Sequence, residues 1–239
     1  MIKHNNDLAE KVDSIKRTNE VIAQSLKEMI YEGSLKPGDP LKQDEIAQMF
    51  GVSRVPVRDA LNMLISMGLA VNLPRRGVVV HPLSKRLVEE LFHVRKVLES
   101  EAVSMAAANM TTDTINLLND LIENQVRAQK SGDIKRFEEL DERFHTTLLD
   151  TAGNRTLAEL VYSLWLRIKQ ARWSARIVSE HATRWMENSI RRHRDVVVAL
   201  ESGHTEEARS VIMKNIEGSL QEVIENLEQM GWLDSDQPA

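Results

Sequence analysis

The sequence predicts a mainly α-helical protein in two parts: a small unit of three helices and a β-hairpin, then an all-α bundle of six helices. Three observations carry this reading. Five of the six prolines (Pro37, Pro40, Pro56, Pro74, Pro82) precede position 83, and the sixth, Pro238, lies in the last residues. Proline breaks helix interiors, so the proline-free stretch from Leu83 to Gln237, apolar at a helical period, reads as helix nearly throughout. The one β-branched stretch that flanks a turn, Leu69 to His81, lies just before that boundary.

In chain order, residues 1–17 are polar and read as an arm or short helix. From Thr18, the residues Val21, Ile22, Leu26, Met29 and Ile30 form an apolar stripe that Gly33 ends. Leu35 to Leu41, with Pro37, Gly38 and Pro40, is a connector. Gln43 to Phe50 reads as a short helix with Ile46, Ala47 and Phe50 inward, closed by Gly51. Ser53 is a good N-cap for a third helix running to about Met67, with Val57, Ala60, Leu61 and Leu64 inward. Leu69–Leu73 and Val78–His81 are strands around the turn Pro74-Arg75-Arg76-Gly77. Helix, helix, tight turn, helix and hairpin together make a winged helix-turn-helix. The expected layout is an arm (1–17), this unit (18–82), a helical domain (83–232) and a tail (233–239).

Composition narrows the function classes. With 239 residues, 42% hydrophobic and 28% charged, the chain has enough apolar material to form packed cores and is not a disordered polymer. No apolar run approaches the roughly 20 residues of a membrane helix. The start, Met1 to Asp7, lacks the apolar segment of a secretory leader. There is no cysteine, which excludes disulfides, thiolate zinc sites and cysteine nucleophiles. A cytoplasmic protein with no membrane partner is expected. Net charge is −5, yet from Ser53 to Val80 the charges are Arg54, Arg58, Arg75 and Arg76 against Asp59 alone. That local basic tip, more than the sum, suits one-ended contact with DNA; the bland alternative is charge scatter.

The third helix and the wing supply the chemistry. A helix fits the major groove with its N-terminal residues at the base edges. Arg54 and Arg58 lie one turn apart on one face, and an arginine can grip guanine O6 and N7 bidentately. The alternative is two solvated surface arginines. Ser53 can cap, touch phosphate, or both. Arg75 and Arg76 at the wing tip, with Gly77 permitting close approach, suit phosphate or minor-groove contact. Lys42 and Gln43 open the preceding helix, where backbone N–H groups can meet phosphate.

The segment from Gly51 through Ser53-Arg54-Val55-Pro56-Val57-Arg58-Asp59-Ala60-Leu61 to Met67-Gly68-Leu69 closely resembles the signature of the GntR family of regulators. Gly33 to Gly38 and Arg75 to Val80 match its flanking pattern. The resemblance implies a homodimer on a double-stranded, pseudo-palindromic operator, with Val55 and Pro56 included in the DNA-contacting segment. One departure is Asp44, where many members carry a basic DNA-contacting residue.

The remaining two-thirds resembles the FCD effector domain of the FadR-type branch. Six helices are expected, at about 85–108, 112–130, 134–151, 155–178, 183–201 and 205–228, which points to the VanR-like subgroup. Asp141 and His145 share a helix face at i, i+4, and His193 lies two helices on. Carboxylate and imidazole at such spacing either chelate a divalent ion such as Zn, Ni or Mn, or simply hydrogen-bond. The resemblance implies a metal held by Asp141, His145 and His193, with Asn215 where a further histidine is usual. It also implies a small carboxylate effector, for which Arg95 and, second, Arg172 are the expected partners. Trp165, Trp173 and Trp185 either wall a pocket or fill the core. The function expected is a ligand-controlled repressor. The alternatives are a metal-free FadR-like acyl-ligand sensor, a metal-dependent enzyme, or an architectural DNA-binding protein.

Overall fold

The computed structural model describes the backbone of residues 5–177 and 182–234 and the side chains of residues 18–172 and 183–233. The chain divides into two compact units, residues 1–83 and 84–239.

The first unit contains α1 (Asn5–Tyr31), α2 (Gln43–Phe50), α3 (Arg54–Ser66), β1 (Ala70–Leu73) and β2 (Gly77–Val80). Helix α1 begins at Asn5, so helix covers most of the segment expected as an arm. Its buried stripe is Ile22, Ala23, Leu26 and Ile30; Val21, expected inward, is 60% exposed. The stripe is narrow because the principal partner of α1 is a single helix, α3. Gly51 ends α2 in the left-handed conformation (φ 65°). Only a residue without Cβ enters that region freely, so Gly51 sets the sharp turn into α3. Val57, Ala60, Leu61 and Leu64 of α3 are fully buried, as their spacing predicted. Strands β1 and β2 pair antiparallel from Ala70 opposite Val80 to Leu73 opposite Gly77. Pro40 bridges to Val79, which ties the connector to the wing.

Among its described residues the second unit is built of helices joined by short turn and strand segments: α4 (Lys85–Asn109), α5 (Thr112–Ser131), α6 (Ile134–Thr151), α7 (Arg155–Ile177), α8 (Ala182–Glu201) and α9 (Thr205–Gln229). The boundaries are local chemistry. Ser84, Thr111 and Asp133 each accept a hydrogen bond from a backbone N–H in the first turn of α4, α5 and α6, at 3.1, 3.2 and 2.9 Å. Asn154 does the same for α7, accepting from Leu157 N–H at 3.1 Å. Helix α4 packs on α9, α7 and α6, and α5 packs on α6 and α8. One apolar cluster joins Ala102, Ala106, Leu149, Leu157, Val161 and Trp165. Among the described residues, no helix is long and apolar enough to cross a membrane.

Candidate DNA-reading face and candidate ligand core

On the first unit, the residues expected to read DNA mostly face solvent. Lys42, Ser53, Arg54, Val55, Arg58, Arg75, Arg76 and Gly77 are exposed, and Gln43 is half-buried. Two expectations need correction. Pro56 is buried with the inward face of α3, so it packs against the core and is withdrawn from any groove. Ser53 stands at the N-cap of α3, but its side chain makes no capping hydrogen bond. Its hydroxyl is left for an outside acceptor.

The cations that α2 and α3 bring to this face are partnered by acids. Lys42 Nζ lies 2.8 Å from Glu45 Oε1. Arg58 Nε lies 3.8 Å from Asp59 Oδ1. Arg54 Nε pairs with Asp44 Oδ1 on the preceding helix. At the wing tip Arg75 takes φ 64°, rare outside glycine, and Arg76 donates through Nη2 to Gly38 O at 3.5 Å.

The second unit encloses a polar core within an apolar bundle. Asp141 and His145 on α6 and His193 on α8 are each at least 97% buried, and one ligand atom from each lies within 4.8 Å of the others. The i, i+4 spacing places the α6 pair on the inner face, and α8 brings His193 to it. His193 Nδ1 lies 2.9 Å from Gln125 Oε1 on α5. An amide oxygen only accepts, so Nδ1 carries the proton and Nε2 keeps a lone pair. That Nε2 is buried, makes no hydrogen bond, and lies 3.5 Å from Asp141 Oδ1. Burial pushes the His193 imidazole well below its usual range, against the opposing pull of Asp141, so the ring is neutral at neutral pH. The Phe144 ring stacks on it, centroids 4.0 Å apart.

Arg95 on α4 is 1% exposed and already engaged. Its Nε donates to Glu99 Oε1 at 2.7 Å, and its Nη2 lies 3.3 Å from His145 Nε2. Trp165 Nε1 donates to the same Glu99 oxygen at 2.7 Å, and His145 Nδ1 lies 3.0 Å from Glu99 Oε2. Burial alone would raise the Glu99 carboxyl, but Arg95 and His145 hold it well below the usual carboxylate range. Arg172 on α7 donates to Asp141 Oδ2 and faces Glu138 at 3.9 Å, while Ser189 donates to Asp141 Oδ1 at 3.0 Å. Despite burial, which would lower it, Asp141 and Glu138 keep the Arg172 guanidinium protonated.

Thus Asp141, His145, His193, Arg95 and Arg172 all belong to one buried polar core. Asn215 is buried on α9, and its Nδ2 makes no hydrogen bond. It lines a cleft with Arg192, Asp195 and Lys214. Trp165 joins the core through Glu99; Trp185 packs edge-on against Phe137 at 4.9 Å. The side chain of Trp173 lies outside the described residues.

Sequence reasoning missed Glu99, Gln125, Glu138 and Ser189. The signal for Glu99 was present. The buried stripe of α4 runs Val88, Leu91, Phe92, Arg95, Glu99, Ala102, Val103, Ala106, which puts two opposite charges one turn apart on an inward face. Gln125 likewise continues the stripe of Leu118, Leu121 and Ile122.

A metal fits the residues present. His193 Nε2 offers an unshared lone pair 3.5 Å from Asp141 Oδ1, and Asp141, His145 and His193 each present a ligand atom within 4.8 Å of the others, a mixed carboxylate and imidazole set that suits a divalent ion.

Comparison with known proteins places both units. The family described as bacterial regulatory proteins, gntR family, matches residues 18–80, and the FCD domain family matches residues 90–218. The chain is 30% identical over 194 residues to the Nta operon transcriptional regulator of Aminobacter aminovorans, covering 79% of this chain and 91% of that protein. It is 27% identical over 218 residues to the HTH-type transcriptional repressor RspR of Escherichia coli K12, covering 91% and 92% of the two chains. The solved structure of E. coli McbR/YncC superposes with a TM-score of 0.72 at 24% identity, covering 89% of this chain and 98% of that one.

Proposed function

The chain belongs to the GntR family of bacterial regulatory proteins, and from that premise we propose that it is a repressor whose hold on operator DNA is controlled by a small ligand bound in the buried polar core of its FCD domain. Family membership makes it a transcriptional regulator with a DNA-binding unit and an effector domain, and sets aside the metal-dependent enzyme. Such regulators bind operator DNA and small effectors. That RspR is named a repressor supports the sign.

The observation that carries the ligand reading is the set of charged and polar side chains sealed inside α4 to α8. Burying charges costs several kcal/mol each unless they are paired, and the burden is retained where a ligand uses it. In the proposed site Asp141, His145 and His193 would hold a divalent metal ion such as Zn, Ni or Mn. The metal would supply a fixed positive centre for a small carboxylate. Arg172, which pairs with Asp141 in the metal-free protein, has a planar donor fork that would suit bidentate binding of that small carboxylate. Arg95, tied to Glu99, fixes the orientation of His145 more than it contacts ligand, which modifies the direct contact expected from sequence. Ligand acts through unequal affinity for the DNA-competent and DNA-released states.

On the reading face, Arg54 and Arg58 enter the major groove, Arg75, Arg76 and Gly77 reach phosphate or minor groove, and Lys42, Gln43 and Ser53 hold phosphates, with Val55 available for apolar contact. Two copies would place these faces on a pseudo-palindromic site; Val94 and Val97, exposed on the outer face of α4, support self-association.

The test is metal content of untagged protein by mass spectrometry, with His193→Ala beside it, followed by operator binding with and without small carboxylates. Near-stoichiometric metal, lost in the variant, with DNA affinity that shifts on adding a carboxylate, is expected. No metal after incubation with Zn, Ni and Mn would instead favour a metal-free acyl-ligand sensor. DNA affinity indifferent to every ligand would sink the sensor reading altogether.

A further inference from the structure

The ion pair between Asp44 and Arg54 joins two helices across the reading face. Asp44 is the second residue of α2 and Arg54 is the first of α3. Both side chains are largely exposed, 65% and 72%, so neither is drawn together by burial. The contact is made through Arg54 Nε. A guanidinium has one edge containing Nε and another formed by its two Nη groups. Holding the first leaves free the second, whose two parallel N–H donors can meet guanine O6 and N7. Arg58 differs: its Nε faces only its chain neighbour Asp59, at 3.8 Å. No second helix anchors it.

We propose that Asp44 is a specificity-determining residue that acts through Arg54, holding the guanidinium in the orientation that reads guanine. The inference rests on the reading of Arg54 as a base contact. Asp44 is a positioning residue. A free arginine spends conformational entropy when it docks on a base, and a restrained one has lost it beforehand. A restrained arginine also fits fewer sites, so preference sharpens. The carboxylate carries a cost. It sits on a surface that meets phosphates, so it weakens attraction to DNA of any sequence. The two effects have opposite signatures: restraint changes preference among sequences, and repulsion changes affinity for all of them alike.

The experiment uses four forms of the full chain: wild type, Asp44→Ala, Arg54→Ala and the double variant. Each is used to select duplexes from a randomised pool, and affinities are then measured by fluorescence anisotropy on the wild-type consensus and on a duplex altered at the base pair whose preference Arg54→Ala abolishes. Thermal unfolding confirms that each variant is folded; both positions are exposed and the fold is expected to hold. The expected result is that Asp44→Ala loses at least about fivefold of discrimination at that same base pair while binding unrelated duplexes as tightly as wild type or tighter. In the Arg54→Ala background, Asp44→Ala then changes discrimination no further. Asp44→Ala that tightens all duplexes equally and keeps the preference overturns the proposal, leaving Asp44 as a repulsive charge. Loss of preference at a different base pair, persisting without Arg54, overturns it as well and makes Asp44 a reader in its own right. If Arg54→Ala itself leaves every preference intact, the reading of Arg54 fails first, and this inference falls with it.

Discussion

His193 is held neutral, and that has a consequence for stability. Its folded pKa lies well below 6.5, the ordinary value it regains on unfolding. As pH falls through about 6.5 the unfolded chain takes a proton that the folded chain refuses. The contribution is therefore complete above pH 6.5 and is lost below it, by about 1.4 kcal/mol per pH unit until the folded pKa is reached. Urea unfolding of chelator-treated protein at pH 7.5 and 5.5 tests this: His193→Gln should show a shallower loss than wild type. An equal loss in both would mean that the imidazole is solvated. Glu99 makes a second case. It accepts from Arg95 and Trp165 with all three side chains buried. Glu99→Gln strands the Arg95 charge and should cost about 3–5 kcal/mol in chemical denaturation. Adding Arg95→Met should recover part of that cost, since the double variant buries no unpaired charge. Asp141, His145 and His193 could be named from sequence because carboxylate and imidazole at helical spacing are conspicuous. Glu99 and Gln125 could be placed on inward stripes, but the roles of Gln125 and Ser189 could not be read, because their partners, His193 and Asp141, come from other helices.

At the scale of elements, glycine and proline made the outline legible. The proline-free stretch from Leu83 onward became α4 to α9, and Gly51 and Gly132 closed α2 and α5 in left-handed conformations. Faces were read less well. Val21 shared the apparent stripe of α1 yet is exposed, since periodicity counts apolar positions without knowing how wide a face the neighbour covers. Pro56, within a stretch taken as DNA-contacting, turned inward because three residues of α3 bring it round to the side of Val57 and Ala60. The Gly51 turn offers a clean test. A Cβ there meets nothing within 4 Å, so Gly51→Ala costs only its backbone strain, about 1 kcal/mol, and Gly51→Asn less. Thermal melts should rank the three glycine > asparagine > alanine. Arg75 is the reverse case, with φ 64° on a long side chain. Arg75→Gly should relieve strain and raise the melting temperature slightly while weakening DNA binding, lowering the salt slope by about one phosphate's worth. Unchanged salt dependence would remove Arg75 from the phosphate contacts.

At the scale of the whole molecule, what the sequence could not convey is how completely the polar core is balanced without any added ion. Arg172 occupies Asp141, and Arg95 occupies Glu99. A divalent ion must displace one cation to win its ligands, so the bundle itself competes for the site. Removing the competitor changes two quantities in opposite directions. Arg172→Met removes a buried counter-charge of Asp141, so the metal-free protein should lose about 3–5 kcal/mol. The same variant should bind Zn, Ni or Mn more tightly, because the ion no longer pays to evict a guanidinium. By mass action, saturating metal then restores stability by RT ln(1 + [M]/Kd), and the melting temperature of Arg172→Met should rise with metal concentration more steeply than that of wild type. Thermal unfolding across a metal titration reads both effects in one series. A variant that is destabilised but gains nothing from metal would show that Asp141 serves Arg172 alone, with the carboxylate and imidazoles of α6 and α8 forming a structural network and the effector held without an ion.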